Sequence, residues 1–257
     1  RSVRELDILA MRFAALADIH GNSFALEAVL QDMDSLGIKD AVNLGDFFSG
    51  PLDAAKTATM LMDRDFVSVR GNHDRYLIEQ DPSEMGPSDR VAFDQLPEQH
   101  LRWIADLPTT RSVNDDIFLC HATPTSDSTY WLERVEENGV VRSASLTEVT
   151  TEANGLEANL ILCAHTHIPR CVRLQDGRVI VNPGSVGCPA YDDELPVYHH
   201  MQTGTPNASY AVLERQGDEW SVTFRSVCYD TKKASDCALA NGRRDWARAL
   251  QTGWFEE

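Results

Sequence analysis

Short polar motifs follow apolar stretches of this chain, and their side chains could bind metal ions or move protons. They are Asp18-Ile-His20, Gly45-Asp46, Gly71-Asn72-His73-Asp74, His121 and His165-Thr-His167. In the first and the last of these motifs the two potential ligands are two residues apart. On extended backbone both side chains would project to the same face. Each pair could then bind one metal ion or lie between two.

Seven of these residues are potential ligands of transition metals. They are two aspartates, one asparagine and four histidines, namely Asp18, His20, Asp46, Asn72, His121, His165 and His167. Mixed oxygen and nitrogen donors suit Mn, Fe, Zn or Ni better than Ca or Mg, which prefer oxygen alone. Seven ligands are too many for one tetrahedral ion but fit two ions that share a carboxylate, as in phosphoryl displacement. The pattern predicts a binuclear centre and leaves Mn, Fe, Zn and Ni open, among which we favour Mn.

Apolar segments of strand length stand before the motifs and must position them. These segments span residues 12–17, 41–44, 66–69, 117–120 and 160–163. Helices are predicted between and after them, at residues 23–36, 53–63, 81–108, 146–158 and 232–254. Strands that alternate with helices form right-handed crossovers and a largely parallel sheet. Open α/β folds place their sites at the carboxyl edge of such a sheet. We therefore expect an α/β fold with the motifs at one edge.

Two hairpins are predicted after the last motif. Residues 172–174 pair with 179–181 around Asp176-Gly177, a dipeptide typical of a type I′ turn. Residues 210–214 pair with 220–225 around Gln216-Gly217-Asp218. The remaining residues, up to the C-terminus, are expected to form one or two surface helices.

The overall composition excludes several classes of partner. The 257 residues include 23 Lys and Arg against 40 Asp and Glu, so the net charge is −17. This charge argues against nucleic acid or an anionic membrane as the main partner. No apolar run approaches the roughly 20 residues of a membrane span, and residues 1–10 lack the apolar core of a signal peptide. The six cysteines form no Cys-x-x-Cys pair, so we expect a cytoplasmic protein with reduced thiols.

The ordered set of motifs resembles the calcineurin-like metallophosphoesterases. Their pattern is Asp-x-His, Gly-Asp, Gly-Asn-His-Asp or Glu, a lone His, and Gly-His-x-His, and the match runs through residues 12–187 in order. Four stretches are similar to the small prokaryotic phosphodiesterase branch: Asp18-Ile-His-Gly-Asn, Val69-Arg-Gly-Asn-His-Asp, Val181-Asn-Pro-Gly-Ser-Val-Gly and Ala208-Ser-Tyr-Ala-Val-Leu-Glu. The resemblance implies a four-layer α/β/β/α sandwich of two mixed β-sheets flanked by helices.

The resemblance also implies a role for each motif residue. One ion would be bound by Asp18, His20, Asp46 and His167. Asp46 would bridge to a second ion, completed by Asn72, His121 and His165. His73 would protonate or polarise the leaving oxygen, and Asp74 would orient its ring. The reaction would be hydrolysis of a phosphodiester or phosphomonoester by attack of a metal-bridging hydroxide on phosphorus.

Two departures from the family pattern bear on the substrate and the site. Ala164 stands where the family usually has Gly, which is acceptable if its φ is negative. Residues 188–207 look like an enlarged loop, in which His199 and His200 are interpreted as solvated, and His100 is expected at the surface. We expect a single metallophosphoesterase domain over 1–257, with an extension at 1–10, a helical cap at 81–108 and C-terminal helices at 231–257.

Two other functions stay open at this point. A metal-bound scaffold that binds proteins without turnover would keep the ligands but would not need His73. A nuclease also cleaves phosphodiesters, but strand binding depends on cationic contacts, which a net charge of −17 disfavours. A small phosphorylated molecule is therefore the expected partner. The oligomeric state is open, a homo-oligomer included.

Overall fold

The structure is a computed structural model that describes residues 12–255. The extension expected at residues 1–10 lies outside the described residues. Fourteen strands and eight helices fall within them. The strands are β1 Arg12–Leu16, β2 Ala41–Asn43, β3 Val67–Ser68, β4 Thr110–Ser112, β5 Ile117–Cys120, β6 Glu133–Val135, β7 Val141–Ser143, β8 Leu160–Leu162, β9 Arg170–Arg173, β10 Val179–Asn182, β11 Ala190–Asp193, β12 His199–Gln202, β13 Ala208–Gln216 and β14 Glu219–Val227. The helices are α1 Ser23–Ser35, α2 Ala54–Met62, α3 Asn72–Glu79, α4 Pro87–Gln95, α5 Glu98–Ala105, α6 Leu146–Glu152, α7 Thr231–Ala240 and α8 Arg244–Thr252.

Two five-stranded mixed sheets form the centre of the fold. The first has the order β14-β13-β1-β2-β3, with β1, β2 and β3 parallel and β13 antiparallel to β1. The second has the order β4-β5-β8-β10-β9, with β5, β8 and β10 parallel between two antiparallel edge strands. The predicted motifs follow the parallel strands. Their side chains therefore collect at the carboxyl ends of both sheets.

The sheets pack face to face and helices cover their outer faces. The layer between the sheets contains Phe13 and Val42 from the first sheet and Leu119 and Leu162 from the second. Helices α1 and α2 pack on the outer face of the first sheet. Helix α6 packs on the outer face of the second through Val149. This order of layers confirms the four-layer α/β/β/α sandwich.

The first helix shows why the sequence folds as it does near the site. Asn22 precedes α1, and its side-chain oxygen accepts the backbone N–H of Ala25 at 3.1 Å, which satisfies one of the free amides of the first turn. The buried face of α1 carries Leu26, Leu30 and Met33 at helical spacing. The predicted helix over 23–36 is confirmed in position and in the face that it buries.

Both predicted hairpins form, but the turn of the first differs from the prediction. Strands β9 and β10 pair antiparallel, and β13 pairs with β14 in the same way. A type I′ turn needs left-handed backbone at both central residues. Gly177 has φ +94°, whereas Asp176 is not left-handed. Asp176 instead accepts the backbone N–H of Arg178, and a three-residue loop with glycine in the left-handed position closes the hairpin.

Several side chains that sequence reasoning placed in solvent are buried. His199 is 3% exposed and lies in β12, because residues 188–207 contain the antiparallel hairpin β11–β12. His100 is buried on the same face of α5 as Ile104. Trp246 and Leu250 of α8 are also buried, so the C-terminal helices cover the protein interior rather than only its surface.

No helix between residues 12 and 255 is long and apolar enough to cross a membrane. The six cysteines, all of which lie in that range, form no disulfide, and Cys120, Cys163 and Cys188 are buried.

The layer between the two sheets should dominate stability. Leu119 is fully buried there, so Leu119→Ala should lower the free energy of unfolding by about 2–5 kcal/mol through lost burial and a residual cavity. Leu239→Ala is the matched control, because Leu239 is 48% exposed on α7 and its loss should cost less than about 0.5 kcal/mol. Urea unfolding measures both. Equal losses for the two variants would contradict the assignment of this layer as the core.

Candidate metal centre

The structure brings the seven predicted ligands together in two adjoining buried groups. The first group is Asp18, His20 and His167, and the second is Asp46, His121 and His165. Within each group the potential ligand atoms lie within 4.8 Å of one another. Asn72 joins the second group, since its Oδ1 is 3.1 Å from His121 Nε2. The donors of each group could therefore converge on one ion.

Five of the seven candidate ligands have left-handed backbone. The φ angles are +53° at Asp18, +50° at His20, +56° at Asp46, +70° at His165 and +62° at His167, and no other non-glycine residue of the described chain has a positive φ. The extended backbone expected for the two ligand pairs is therefore wrong, because β1 ends at Leu16 and β8 ends at Leu162. Such conformations cost roughly 1–3 kcal/mol each and are concentrated at functional sites.

Backbone hydrogen bonds hold the strained loops against each other. The N–H of Asp18 donates to the carbonyl of Gly45, and the N–H of His20 donates to the carbonyl of Asp46, both at 3.0 Å. The carbonyl of Asp18 accepts the hydroxyl of Ser185 at 2.8 Å and the N–H of Gly187 at 3.0 Å. The loops that follow β1, β2 and β10 thus form one connected unit.

Each of the four ligand histidines donates one ring N–H to a backbone carbonyl. The pairs are His20 Nδ1 with Ser49 and His121 Nδ1 with Leu44 at 2.7 Å, His167 Nδ1 with Cys188 at 2.7 Å, and His165 Nε2 with Ser128 at 3.1 Å. Because a carbonyl only accepts, these bonds fix which nitrogen carries the proton. In the neutral rings, Nε2 of the first three and Nδ1 of His165 are left as lone-pair donors.

The two carboxylates occupy different positions in the centre. Asp46 Oδ2 lies 3.3 Å from His121 Nε2 and 3.9 Å from His20 Nε2, so it touches both groups. Asp18 is fully buried, and neither of its oxygens has a hydrogen-bond partner. A buried carboxylate without partners is strongly unfavourable unless a cation compensates its charge. Asp46 is thus placed to bridge two ions, and Asp18 is placed to bind one.

Burial and mutual charge shift the titration of this cluster. Burial lowers the pKa of His20 to about 4 and that of His165 to about 3, which keeps both rings neutral. Burial raises the pKa of Asp18 well above its usual value. Burial opposes protonation of His121, but the charge and the hydrogen bond of Asp46 raise its pKa to about 10. On binding a metal ion, His121 would release its second ring proton. Together with the neutral imidazoles and the buried carboxylates, it then completes a donor set that divalent transition metals take, so the residues fit two such ions.

Asp74 does not have the role that was predicted for it. Its carboxylate accepts the backbone N–H groups of Asp46 at 2.7 Å, Phe47 at 3.0 Å and Gly71 at 2.8 Å. The prediction that Asp74 orients the ring of His73 is wrong, because Asp74 faces these loop amides from the first turn of α3. Burial, with the charge of Asp46, raises the pKa of Asp74 to about 7. Asp74 fixes the loop that carries Asp46.

Asp89, which sequence reasoning missed, takes the position next to His73. The Nδ1–H of His73 donates to Asp89 Oδ1 at 2.8 Å, and the Ser49 hydroxyl donates to the same oxygen at 2.5 Å. Burial opposes the charge on His73, but the hydrogen bond to Asp89 and the carboxylates of Asp46 and Asp89 raise its pKa to about 9. Asp89 is 5% exposed and belongs to α4, within the predicted cap. The only sequence signal was a carboxylate in a first helical turn, which is typical of ordinary capping.

A cavity of about 310 Å³ opens over the centre, and its floor includes His73, Asn72 and three of the candidate ligand histidines, His20, His165 and His167. Its outer walls include Tyr76, Tyr191, Trp246 and Phe255. Arg243, at the start of α8, also lines it and is paired with Asp245. The C-terminal helices therefore contribute directly to the space above the centre.

Ala164 is compatible with the metal site. It is not among the residues with positive φ, so the alanine found in place of the family's glycine adopts ordinary backbone. Its N–H donates to the carbonyl of His121 at 2.6 Å, which ties the β8 loop to the β5 loop.

Because Asp46 touches both ligand groups, it should control the number of bound ions. Purified protein loaded with Mn²⁺ should hold two ions per chain, and Asp46→Asn should lose at least one of them, since an amide oxygen bridges poorly. Asp192→Asn, an exposed carboxylate lining the same cavity, is the matched control and should keep both. Metal analysis after gel filtration measures the ratio. One ion per chain in saturated wild type would contradict the two-ion assignment.

Comparison with known proteins places the chain in a family. The model of the family described as Calcineurin-like phosphoesterase superfamily domain matches residues 11–215. The chain is 24% identical over 247 residues to an uncharacterized protein from Methanocaldococcus jannaschii, with 91% of this chain and 94% of that protein covered.

Two solved structures share the fold over nearly the whole chain. A metallophosphoesterase from Sphaerobacter thermophilus has a TM-score of 0.74 at 23% identity, with 95% of this chain and 100% of that chain covered. A hypothetical protein from Pyrococcus horikoshii OT3 has a TM-score of 0.73 at 19% identity, with 95% and 98% covered. With the family match spanning most of the chain, the protein belongs to the calcineurin-like phosphoesterase superfamily.

Proposed function

We propose that this protein hydrolyses a phosphomonoester or phosphodiester of a small molecule with the help of two divalent metal ions, Mn²⁺ preferred. The observation that carries the proposal is the pair of buried ligand groups that meet at Asp46 beneath an open cavity. Membership of a phosphoesterase superfamily supports hydrolysis as the reaction class.

The ligand roles in this proposal follow the geometry of the two groups. Asp18, His20, His167 and Asp46 would hold one ion, and Asp46, Asn72, His121 and His165 would hold the other. When bound, two such ions lower the pKa of a water and neutralise charge on phosphoryl oxygens. Asp46 would set the spacing of the pair. The backbone N–H of His73 donates to Asp46 Oδ1 at 3.0 Å, which links that carboxylate to the start of α3.

His73 is the residue that we propose to act on the leaving group. Asp89 accepts from Nδ1, so Nε2 is the nitrogen left to face the cavity and donate a proton to the leaving oxygen. Asp89 and Ser49 hold the ring in that orientation through contacts with its Nδ1, and the Ser49 hydroxyl also donates to Asp89. Asp89 is therefore a positioning residue in the place where Asp74 was predicted.

Size and charge support a small substrate rather than a nucleic acid strand. A cavity of about 310 Å³ is at the lower end of the range for small-molecule sites. The net charge of −17 provides little electrostatic attraction for a polyanion. The unpaired cysteines support a cytoplasmic location as part of the same proposal.

The proposal is tested by assaying purified protein, with Mn²⁺ and with chelator, against a panel of phosphomonoesters and phosphodiesters. We expect phosphate or alcohol release from at least one class, and its loss with chelator. A protein that binds two Mn²⁺ ions but turns over no member of the panel would contradict the enzyme proposal and favour a binding scaffold.

The role of His73 makes a separate prediction about leaving groups. His73→Ala should lower the rate on an alkyl ester by roughly 10²- to 10⁴-fold, the usual contribution of a positioned acid, and lower it far less on a nitrophenyl ester, whose leaving group needs no proton. Asp89→Asn should also lower the rate more on the alkyl ester than on the nitrophenyl ester, but by smaller factors than His73→Ala. The matched control on α4 is Asp94→Asn, an exposed carboxylate paired with Arg90. Equal losses on both esters would mean that His73 is not a general acid.

A further inference from the structure

Two tyrosines and a buried histidine connect the 188–207 segment to the metal ligands. The hydroxyl of Tyr191, in β11, donates to the backbone carbonyl of His165 at 3.1 Å. The hydroxyl of Tyr130 lies 2.9 Å from that of Tyr191 and 3.0 Å from Nε2 of His199, in β12. The side chains of His199, Tyr130 and Tyr191 therefore form a continuous row of polar contacts from the second strand of the hairpin to the backbone of a candidate ligand.

The rings of the same tyrosines pack against ligand rings. The ring centroid of Tyr130 is 5.1 Å from that of His165, and the centroid of Tyr191 is 4.6 Å from that of His167. Each tyrosine thus covers one histidine of the His165-Thr-His167 motif. Aromatic contacts at these distances restrict the tilt of both partners.

His199 fixes the end of this row of contacts that is farthest from the metal centre. Its Nδ1–H donates to the carbonyl of Val197 at 2.8 Å, and its ring meets that of Tyr130 edge to face at 5.5 Å. The antiparallel pairing of β11 with β12, in which Asp193 is opposite His199, fixes it relative to Tyr191. These contacts account for a histidine that is 3% exposed in a polar segment.

The ligand loop needs support of this kind. His165 and His167 have φ angles of +70° and +62°, which are unfavourable for residues with a side chain. Tyr191 holds the peptide after His165 through its carbonyl, and the carbonyl of Ser128, two residues before Tyr130, accepts from the His165 ring. The backbone and the side chain of this ligand are thus fixed from two sides.

We propose that His199, Tyr130 and Tyr191 are positioning residues for the metal centre, through which the 188–207 segment holds His165 and His167 in their ligand geometry. This role rests on the metal centre of the proposed function. It assigns the enlarged segment to the support of the ligands, and it predicts an effect on metal affinity before any substrate is present.

The test is Mn²⁺ binding to the purified full-length protein by calorimetry, with no substrate. Tyr191→Phe keeps the ring on His167 and removes only the hydroxyl, so it should weaken one of the two Mn²⁺ ions by roughly 10- to 100-fold, the usual effect of losing a partner of a metal ligand. His199→Ala should weaken the same ion. His199→Gln offers a donor and an acceptor of similar reach and should restore most of the affinity.

Tyr210→Phe is the matched control. It also removes the hydrogen-bonded hydroxyl of a tyrosine, here one that is fully buried and donates to Asp32 at 2.7 Å in another part of the fold. It should lower thermal stability and leave both Mn²⁺ affinities within about two-fold of wild type. Wild-type affinity for both ions in Tyr191→Phe, or an equal loss in Tyr210→Phe, would overturn the proposal, as would a wild type that binds no Mn²⁺.

The binding readout separates this proposal from the proposed function. Two tight Mn²⁺ ions in the wild type, with one weakened in Tyr191→Phe and no turnover of any phosphoester by either protein, would support the positioning role and contradict the enzyme. Suppose instead that the wild type turns over a phosphoester and that Tyr191→Phe, His199→Ala and His199→Gln all keep its Mn²⁺ affinities. This result would support the enzyme and contradict the positioning role.

Discussion

The buried carboxylate of Asp18 is the constraint around which the site is organised. It has no hydrogen-bond partner on either oxygen, and burial raises its pKa well above the usual value. Asp46 adds a second buried carboxylate close by, while burial keeps His20 and His165 neutral. His121, whose pKa is raised to about 10, supplies positive charge beside Asp46, but no side chain donates a hydrogen bond to either oxygen of Asp18. Two divalent ions would compensate this arrangement, which explains why so polar a cluster is buried at the edge of an apolar sandwich.

The backbone, more than the side chains, fixes the positions of the ligands. Left-handed conformation at five ligands is held by hydrogen bonds between the loops, and Asp74 adds three acceptor contacts to loop amides. Gly71 leaves room for this geometry, because a Cβ there would stand 2.2 Å from Asp46 Oδ1. A side chain at this position would displace the bridging carboxylate. The strained backbone of the candidate ligands and the close packing at Gly71 thus lie together at the carboxyl ends of the two sheets.

Sequence reasoning could predict which residues come together as candidate ligands because each follows an apolar strand within a short motif. It could not find Asp89, whose contact with His73 depends on how α4 packs on α3 and on the loop after β2. It assigned Asp74 to His73 from the family resemblance, although neighbouring residues of a helix point about 100° apart. His199 has polar neighbours in sequence, and only the pairing of β11 with β12 shows that it is buried. The left-handed backbone had a partial signal, since Asp and His tolerate that region better than most residues.

Anomalous diffraction from crystals of the Mn²⁺-loaded protein tests the central claim most directly. The account predicts two peaks roughly 3.5–4 Å apart, with Asp46 between them and a carboxylate oxygen of Asp18 within coordination distance of one ion. It also predicts that Asp18, His20, Asp46, His165 and His167 keep positive φ angles when the metal is bound. A single peak, or two peaks with the carboxylate of Asp18 bound to neither, would contradict it.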